Sequence, residues 1–236
     1  MSDGKDVRHF AEVWRRKAHA AGSAYRPGDN RRVDLALRLL PSGQRLLDVG
    51  CGGGVLAAEA RDRFAEVHGV DIAEDAVRLA RERGVVASVV NLSAQPLPYG
   101  EAHFDVVTAL SSLQYVADLE GVVAECARVL RAGGSLLVAV PNMRALWRLW
   151  TLAARGTFPR TSLDEEGYDG GTLHYFTHKT LVRLLLRHGC AARTSHGLFC
   201  LPRFVESMSD RGPLGRVKRE LFSAEVLVHA VKVEGR

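Results

Sequence analysis

Residues 46–54 read LLDVGCGGG and place four glycines within five positions, directly after an apolar run. A glycine in the interior of a helix or strand costs roughly 0.5–1 kcal/mol relative to alanine. A cluster this dense therefore indicates a turn that a ligand approaches closely. The apolar run before it is typical of a buried strand, and GVLAAEARDRF (54–64) after it predicts a helix.

Strands and helices alternate on both sides of this turn. Strands are predicted over 44–50, 66–72, 85–91, 104–110, 135–141, 192–200 and 222–233. Helices are predicted over 31–40, 54–64, 73–84, 118–134 with a glycine stop, and 177–189 with Thr177 as N-cap. The alternation predicts βαβ units and a parallel sheet with helices on both faces. The last two strands have no regular helix between them, which predicts an antiparallel terminal pair.

Two segments lie outside this pattern. Residues 1–29 are predicted to form an N-terminal helical segment and a candidate lid, ahead of a domain over 30–236. Residues 142–176 form an irregular insertion, with a short amphipathic helix over 143–155. Three interpretations of that helix stay open: packing on the domain, a lid over an apolar acceptor, or weak contact with a membrane surface.

The residues around the turn favour a cationic nucleoside over a dinucleotide. The dinucleotide pattern GxGxxG or GxGxxA fails at its third position, which is Val55. Asp48, just before the turn, suits a positive charge better than a pyrophosphate. Asp71, at the end of the second strand, stands where an acid accepts hydrogen bonds from ribose hydroxyls. A nicotinamide-dependent oxidoreductase is the alternative that the same fold allows.

Composition limits the choice of partners and compartment. The net charge is +5, with no concentrated Lys/Arg stripe, which disfavours nucleic acid. The four cysteines are scattered without a CxxC pair, as in reduced thiols rather than a metal site or disulfide framework. No apolar run reaches the ~18 residues of a membrane span. We expect a cytoplasmic monomer or homodimer without a metal.

The chain resembles the class I S-adenosylmethionine-dependent methyltransferases, in the ubiquinone-biosynthesis-like, small-molecule subgroup. The matching stretches follow the family's order: LLDVGCGGG (46–54), GVDIAEDAV (69–77), SAQPLPYGEAHFDVV (93–107), RVLRAGGSLLVAVPN (128–142) and GTLHYFTHKTLVRLLLRHG (171–189). The resemblance implies a Rossmann-like α/β fold with a seven-stranded, mostly parallel sheet. It also implies S-adenosylmethionine as methyl donor and S-adenosylhomocysteine as product.

The resemblance further implies a set of cofactor-binding residues. Gly50, Gly52 and Gly54, with Cys51 between them, would form the turn under the methionine part of the cofactor. Asp48 would order that turn, and Asp71 would bind both ribose hydroxyls. The remaining members are Ile72 against the adenine, Ser93 and Ala94 beside it, and Leu110 at the methyl-donor pocket.

The acceptor side departs from the subgroup. Relatives carry acids and a histidine in a pattern like EVLEHV, where this chain has SSLQYV (111–116). Ser111, Gln114 and Tyr115 replace the charged residues, which disfavours metal-assisted catechol methylation. Tyr115 is a candidate acceptor contact. His174 is the first candidate for a general base and His178 the second.

These features predict a methyltransferase that acts on an oxygen or nitrogen of a small, fairly apolar acceptor, such as a natural-product or quinone-like precursor. Two alternatives stay open. One is an RNA or protein methyltransferase, and the other is an S-adenosylmethionine-binding protein without catalytic activity.

Overall fold

The computed structural model of the chain describes Glu12 and residues 25–159 and 171–234. The predicted N-terminal helix and most of the candidate lid over 1–29 lie outside these residues. No helix in the described part of the chain combines the length and apolarity that crossing a membrane requires.

Seven strands form one twisted sheet in the order β3-β2-β1-β4-β5-β7-β6. The strands are β1 (Gly43–Val49), β2 (Phe64–Asp71), β3 (Val86–Val89), β4 (Phe104–Leu110), β5 (Leu130–Pro141), β6 (Cys190–Cys200) and β7 (Ser223–Lys232). The first five are parallel, and β7 runs antiparallel to both β5 and β6. The predicted mostly parallel sheet with an antiparallel terminal pair is therefore confirmed.

Helices cover both faces of this sheet. They are α1 (Arg31–Leu39), α2 (Val55–Glu59), α3 (Glu74–Glu82), α4 (Leu119–Val129), α5 (Leu146–Arg155), α6 (His178–Arg187) and α7 (Gly212–Val217), which continues as a π-helical turn to Phe222. Leu46 packs with α1, α2 and α3, whereas Leu47 packs with α4 and α6. Both leucines are fully buried, as expected for a strand with covered faces.

Two helix predictions were wrong in extent. The helix after the glycine turn ends at Glu59, and a 3-10 turn leads from Arg61 directly into β2. The glycine stop predicted for α4 is wrong as well, because α4 ends at Val129 and β5 begins at Leu130. Leu130 is fully buried opposite the start of β4, so tertiary pairing overrides the helical propensity of this stretch.

The helix α5 buries a charged side chain and exposes its apolar face, the opposite of a packed amphipathic helix. Its Arg148 is 8% exposed and donates from Nη1 to the carbonyl oxygens of Asn142 (2.8 Å) and Ala224 (2.6 Å). The apolar side chains of Leu149 and Trp150 are 44% and 61% exposed. The buried guanidinium satisfies backbone carbonyls where β5 ends and β7 begins, and this leaves the apolar face of the helix in solvent.

Asn142 joins the segments that follow β5. Its fully buried Nδ2 lies 3.0 Å from the carbonyl oxygens of Arg219, Glu220 and Ser223. The same residue forms a parallel bridge with Phe176. The Asn142 side chain therefore ties the start of the insertion to the entry to β7, and its backbone joins the segment before α6.

Replacing Asn142 with alanine tests this role. We expect Asn142→Ala to lower the free energy of unfolding by about 1–3 kcal/mol, because buried carbonyls lose their donor. Urea titration measures it. Gln44→Ala, at an exposed amide outside the cluster, is the control. Equal stability of both variants would contradict the assigned role of Asn142.

Candidate functional site

The glycine turn lies at the topological switch point of the sheet. From β1 the chain builds β2 and β3 on one side and then returns to β4 and β5 on the other. The carboxyl ends of β1 and β4 therefore diverge and leave a crevice between their following loops. Ligands of open α/β sheets bind in this crevice.

Two glycines of the turn are required by packing inside the protein. Gly50 has φ +72°, and a Cβ there would stand 2.4 Å from the Cβ of Ser112 in the loop after β4. Gly54 has φ +74°, and its Cβ would stand 2.8 Å from that of Ala80 in α3. The turn thus fits tightly between the β4 loop and α3, a reason for glycine that the sequence alone does not reveal.

Asp71 orders the glycine turn and the start of α3. Its Oδ2 accepts from the N–H of Gly52 at 2.9 Å, and its Oδ1 accepts from the N–H of Ala73 at 3.0 Å. The residue is 9% exposed. An ionised carboxylate offers only acceptors, which is the chemistry that ribose hydroxyls require.

Asp48 is a second buried acid below the turn. It is 4% exposed, and Thr108 Oγ1 donates to its Oδ1 at 2.6 Å. Burial raises the pKa of Asp48 to about 7, the Thr108 hydrogen bond opposes that rise, and the charge of Asp71 adds to it. A cation bound at the turn would offset the cost of ionising this carboxyl.

Cys51 fills space within the turn. It is buried, and a Cβ on Gly69 would meet its Sγ at 2.8 Å. Burial raises the pKa of the Cys51 thiol well above its usual value, which keeps it protonated and unreactive.

The residues predicted beside adenine lie in the loop after β3 and just beyond β2. Ile72 and Ser93 are partly exposed and Ala94 is exposed. The Ser93 hydroxyl accepts from the N–H of Ala117 at 2.8 Å, which ties this loop to the segment before α4. The same hydroxyl retains its own proton for donation to a further acceptor.

The loop after β4 holds polar atoms that sequence reasoning did not assign to the cofactor. Ser112 Oγ donates to the carbonyl oxygen of Val49 at 2.8 Å and so joins this loop to the end of β1. Ser111, directly after the partly exposed Leu110, has φ +58°, which a non-glycine residue rarely adopts. Ser111 Oγ and Gln114 Oε1 are buried without a hydrogen-bond partner. Unsatisfied buried atoms of this kind are typical of a ligand or water site.

The structure places His174, but not His178, against the loop that carries Tyr115. The backbone N–H groups of Leu173 and His174 donate to the carbonyl oxygen of Gln114 at 2.8 and 3.1 Å. The Nε2 of His174 lies 2.8 Å from the carbonyl oxygen of Val116 and must donate to it, so Nδ1 is the basic nitrogen of the neutral ring.

His178 instead faces the edge of the sheet. Its Nε2 lies 2.9 Å from Ser195 Oγ of β6, and burial lowers the pKa of the ring, with Arg219 and Arg216 adding to the effect. Three strands separate β6 from β1. Among the described residues, no group of three or more His, Cys, Asp or Glu side chains could hold a metal ion.

Residues 47–138 match the family model described as a methyltransferase domain. The ubiquinone biosynthesis O-methyltransferase of Idiomarina loihiensis is 37% identical over 118 residues, which cover 48% of this chain and 49% of that protein. The chain thus spans about half the length of the curated relatives it matches.

Solved structures share the fold over nearly the whole chain. A Haloferax volcanii methyltransferase, solved with the Trm112 activator, superposes with a TM-score of 0.67 and 17% sequence identity. The match covers 98% of this chain and 99% of the Haloferax chain. The geranyl diphosphate C-methyltransferase of Streptomyces coelicolor, solved with S-adenosyl-L-homocysteine, superposes with a TM-score of 0.63 and 17% sequence identity. That match covers 97% of this chain and 98% of the Streptomyces chain. These likenesses confirm the predicted Rossmann-like class I methyltransferase fold.

The raised pKa of Asp48 predicts a distinct pH dependence of stability. In the window from about pH 4 to 7 the unfolded state ionises this carboxyl while the folded state keeps it protonated. The unfolded state then binds fewer protons, so this group makes the free energy of unfolding fall as pH rises.

Asp48→Asn keeps the acceptor for Thr108 and removes the titration. We expect the stability of wild type relative to Asp48→Asn to decline between about pH 4 and 7 in urea titrations. Asp62→Asn, at an exposed carboxyl, is the control, and its free energy of unfolding should follow the same pH dependence as that of wild type. A constant difference between wild type and Asp48→Asn would contradict the assigned protonation.

Proposed function

We propose that the chain is an S-adenosylmethionine-dependent methyltransferase that acts on an oxygen or nitrogen of a small, fairly apolar organic acceptor. The observation that carries this proposal is the position of the glycine turn. It lies in the switch-point crevice between β1 and β4, with Asp48 and Asp71 buried beside it. The methyltransferase family match over 47–138 covers the same elements.

The residues present fit the methyl donor at three points. Asp71 is a carboxylate at the end of the second strand, where an acid accepts from ribose hydroxyls, and Asp48 favours a nearby positive charge. Ser111 Oγ is a buried hydroxyl without a partner in the facing loop, suited to a polar group of the methionine part. We therefore add Ser111 to the predicted cofactor set of Gly50, Gly52 and their neighbours.

The bound donor supplies a methyl group already activated on a sulfonium. What remains for the chain is to exclude water and to hold the acceptor atom in line, which in well-oriented systems lowers the barrier by up to ~7–11 kcal/mol. A neutral amine needs little more. A hydroxyl loses its proton, and His174 Nδ1 is the proposed base for that step.

Exposed apolar side chains in the segments that follow β5 favour an apolar acceptor. Phe158 and Tyr175 stack with ring centroids 6.0 Å apart, although they are 57% and 44% exposed. Leu149 and Trp150 of α5 are exposed as well. Since the SSLQYV loop carries no acid, we propose a metal-independent reaction, with a quinone-like or natural-product precursor as acceptor.

Asp71→Ala tests the cofactor assignment. We expect it to weaken S-adenosylmethionine binding by about 1–3 kcal/mol in calorimetry, because hydrogen bonds in a buried site are lost. Asp75→Ala, at a partly exposed acid in the first turn of α3, is the matched control. If wild type does not bind S-adenosylmethionine, or binds NAD more tightly, the proposal is contradicted.

A pair of histidine variants tests the base. Wild type is first screened with a labelled methyl donor against phenols and aromatic amines. For a phenolic acceptor we expect His174→Asn to lower kcat by about 10²–10⁴-fold, the usual contribution of a general base. The rate with an amine should change little, and His178→Asn should behave like wild type. A greater loss in His178→Asn would reverse the assignment.

A further inference from the structure

A groove of about 520 Å³ lies between α1 and the segment over 203–218 that links β6 to β7. Gly197 and Leu198 of β6 contribute to its wall. None of its lining residues belongs to the glycine turn or to the loop after β4, so this groove is distinct from the switch-point crevice. Its volume is in the range of small-molecule sites, about 300–1,000 Å³.

The groove has four cationic and three acidic side chains in its lining. Two of the acids are already engaged on the α1 side. Asp34 accepts from the Tyr25 hydroxyl and from the N–H of Gly28 at 3.1 Å. Glu206 accepts from the N–H of Phe199 at 3.2 Å and pairs with Arg31.

The third acid, Asp210, has the most hydrogen-bond and charged partners of the three. It accepts from the N–H of Gly197 at 3.1 Å, contacts His196 Nδ1 at 3.1 Å and pairs with Lys218 Nζ at 3.3 Å. Burial raises its pKa, but these partners outweigh burial and hold the pKa below its usual value. Each of the three carboxylates therefore already accepts hydrogen bonds within the protein, and Glu206 and Asp210 also have a cationic partner.

Two guanidinium groups in the lining are solvent-exposed and have no acidic partner in the described part of the chain. Arg38 of α1 and Arg203 have no hydrogen bond or ion pair within the described part of the chain. Lys218 is 3% exposed, and its Nζ also donates to the carbonyl oxygens of Glu206 and Met208. Its ammonium group is therefore already bound within the protein. The four cations and three acids leave one net positive charge in the lining, and Arg38 and Arg203 are its two cations without a partner among the described residues.

We propose that this groove binds a small organic molecule through an oxyanion group, a phosphate or a carboxylate, held by Arg38 and Arg203. A guanidinium presents parallel N–H donors that match either group in bidentate fashion. The two arginines come from different elements, so a bound oxyanion would bridge α1 to the linker between β6 and β7. This site stands apart from the proposed methyl transfer and does not depend on it.

Calorimetry on the full chain at low salt tests the site, with pyrophosphate and citrate as probes. We expect saturable binding of at least one probe, weakened about tenfold or more in Arg38→Gln/Arg203→Gln, since two charge-assisted contacts are lost. Arg183→Gln/Arg193→Gln removes the same charge from exposed positions outside the groove and should stay within about twofold of wild type. Thermal unfolding of each variant verifies that it folds.

The two probes separate the chemistries, because the one that binds more tightly identifies phosphate or carboxylate as the recognised group. Failure of both probes to saturate would overturn the proposal. So would equal weakening in the two double variants, because that result would mean diffuse attraction to a basic surface. A single Arg203→Gln variant, on a linker side chain without a partner, repeats the test if the double variant fails to fold.

Discussion

The close contact between Gly50 and Ser112 is the constraint on which the site depends. It brings the end of β1 against the loop after β4, and the Ser112 hydroxyl donates to the carbonyl oxygen of Val49 across the same junction. Any side chain at position 50 would separate the two loops. The packing that joins these two loops is present without a ligand, and preorganisation of this kind lowers the entropy cost of binding.

Around this junction the protein concentrates polar groups that are costly without a ligand. Asp48 is buried below the turn, Ser111 adopts a strained backbone, and Ser111 Oγ lacks a partner. Strain and unsatisfied atoms of this kind cluster at functional sites because the surrounding fold compensates for them. A cationic nucleoside would relieve the cost of the charge on Asp48 and satisfy the free hydroxyl, which links the stability of the fold to the proposed function.

The sheet was predictable from the sequence because its strands are apolar runs between turn residues and helices. The order of motifs also located Asp48, Gly52 and Asp71 at one edge. What sequence did not reveal depends on contacts between distant residues. The start of β5 at Leu130 follows from pairing with β4, and the outward apolar face of α5 follows from the carbonyls that Arg148 satisfies.

The two candidate bases illustrate the same limit. His174 and His178 are four positions apart, and the local sequence separates them only by the predicted N-cap at Thr177, which places His178 in the first turn of a helix. The fold turns one toward the loop after β4 and the other toward β6. The sequence ranked His174 first, but only the tertiary structure shows that it lies against the loop after β4 and that His178 does not.

A crystal structure of the protein with S-adenosylhomocysteine tests the central claim most directly. The account predicts the nucleoside in the crevice between the glycine turn and the loop after β4, with the ribose hydroxyls on Asp71 and a polar group of the amino-acid part on Ser111. Density for the ligand anywhere else, or ribose hydroxyls bound without Asp71, would contradict it.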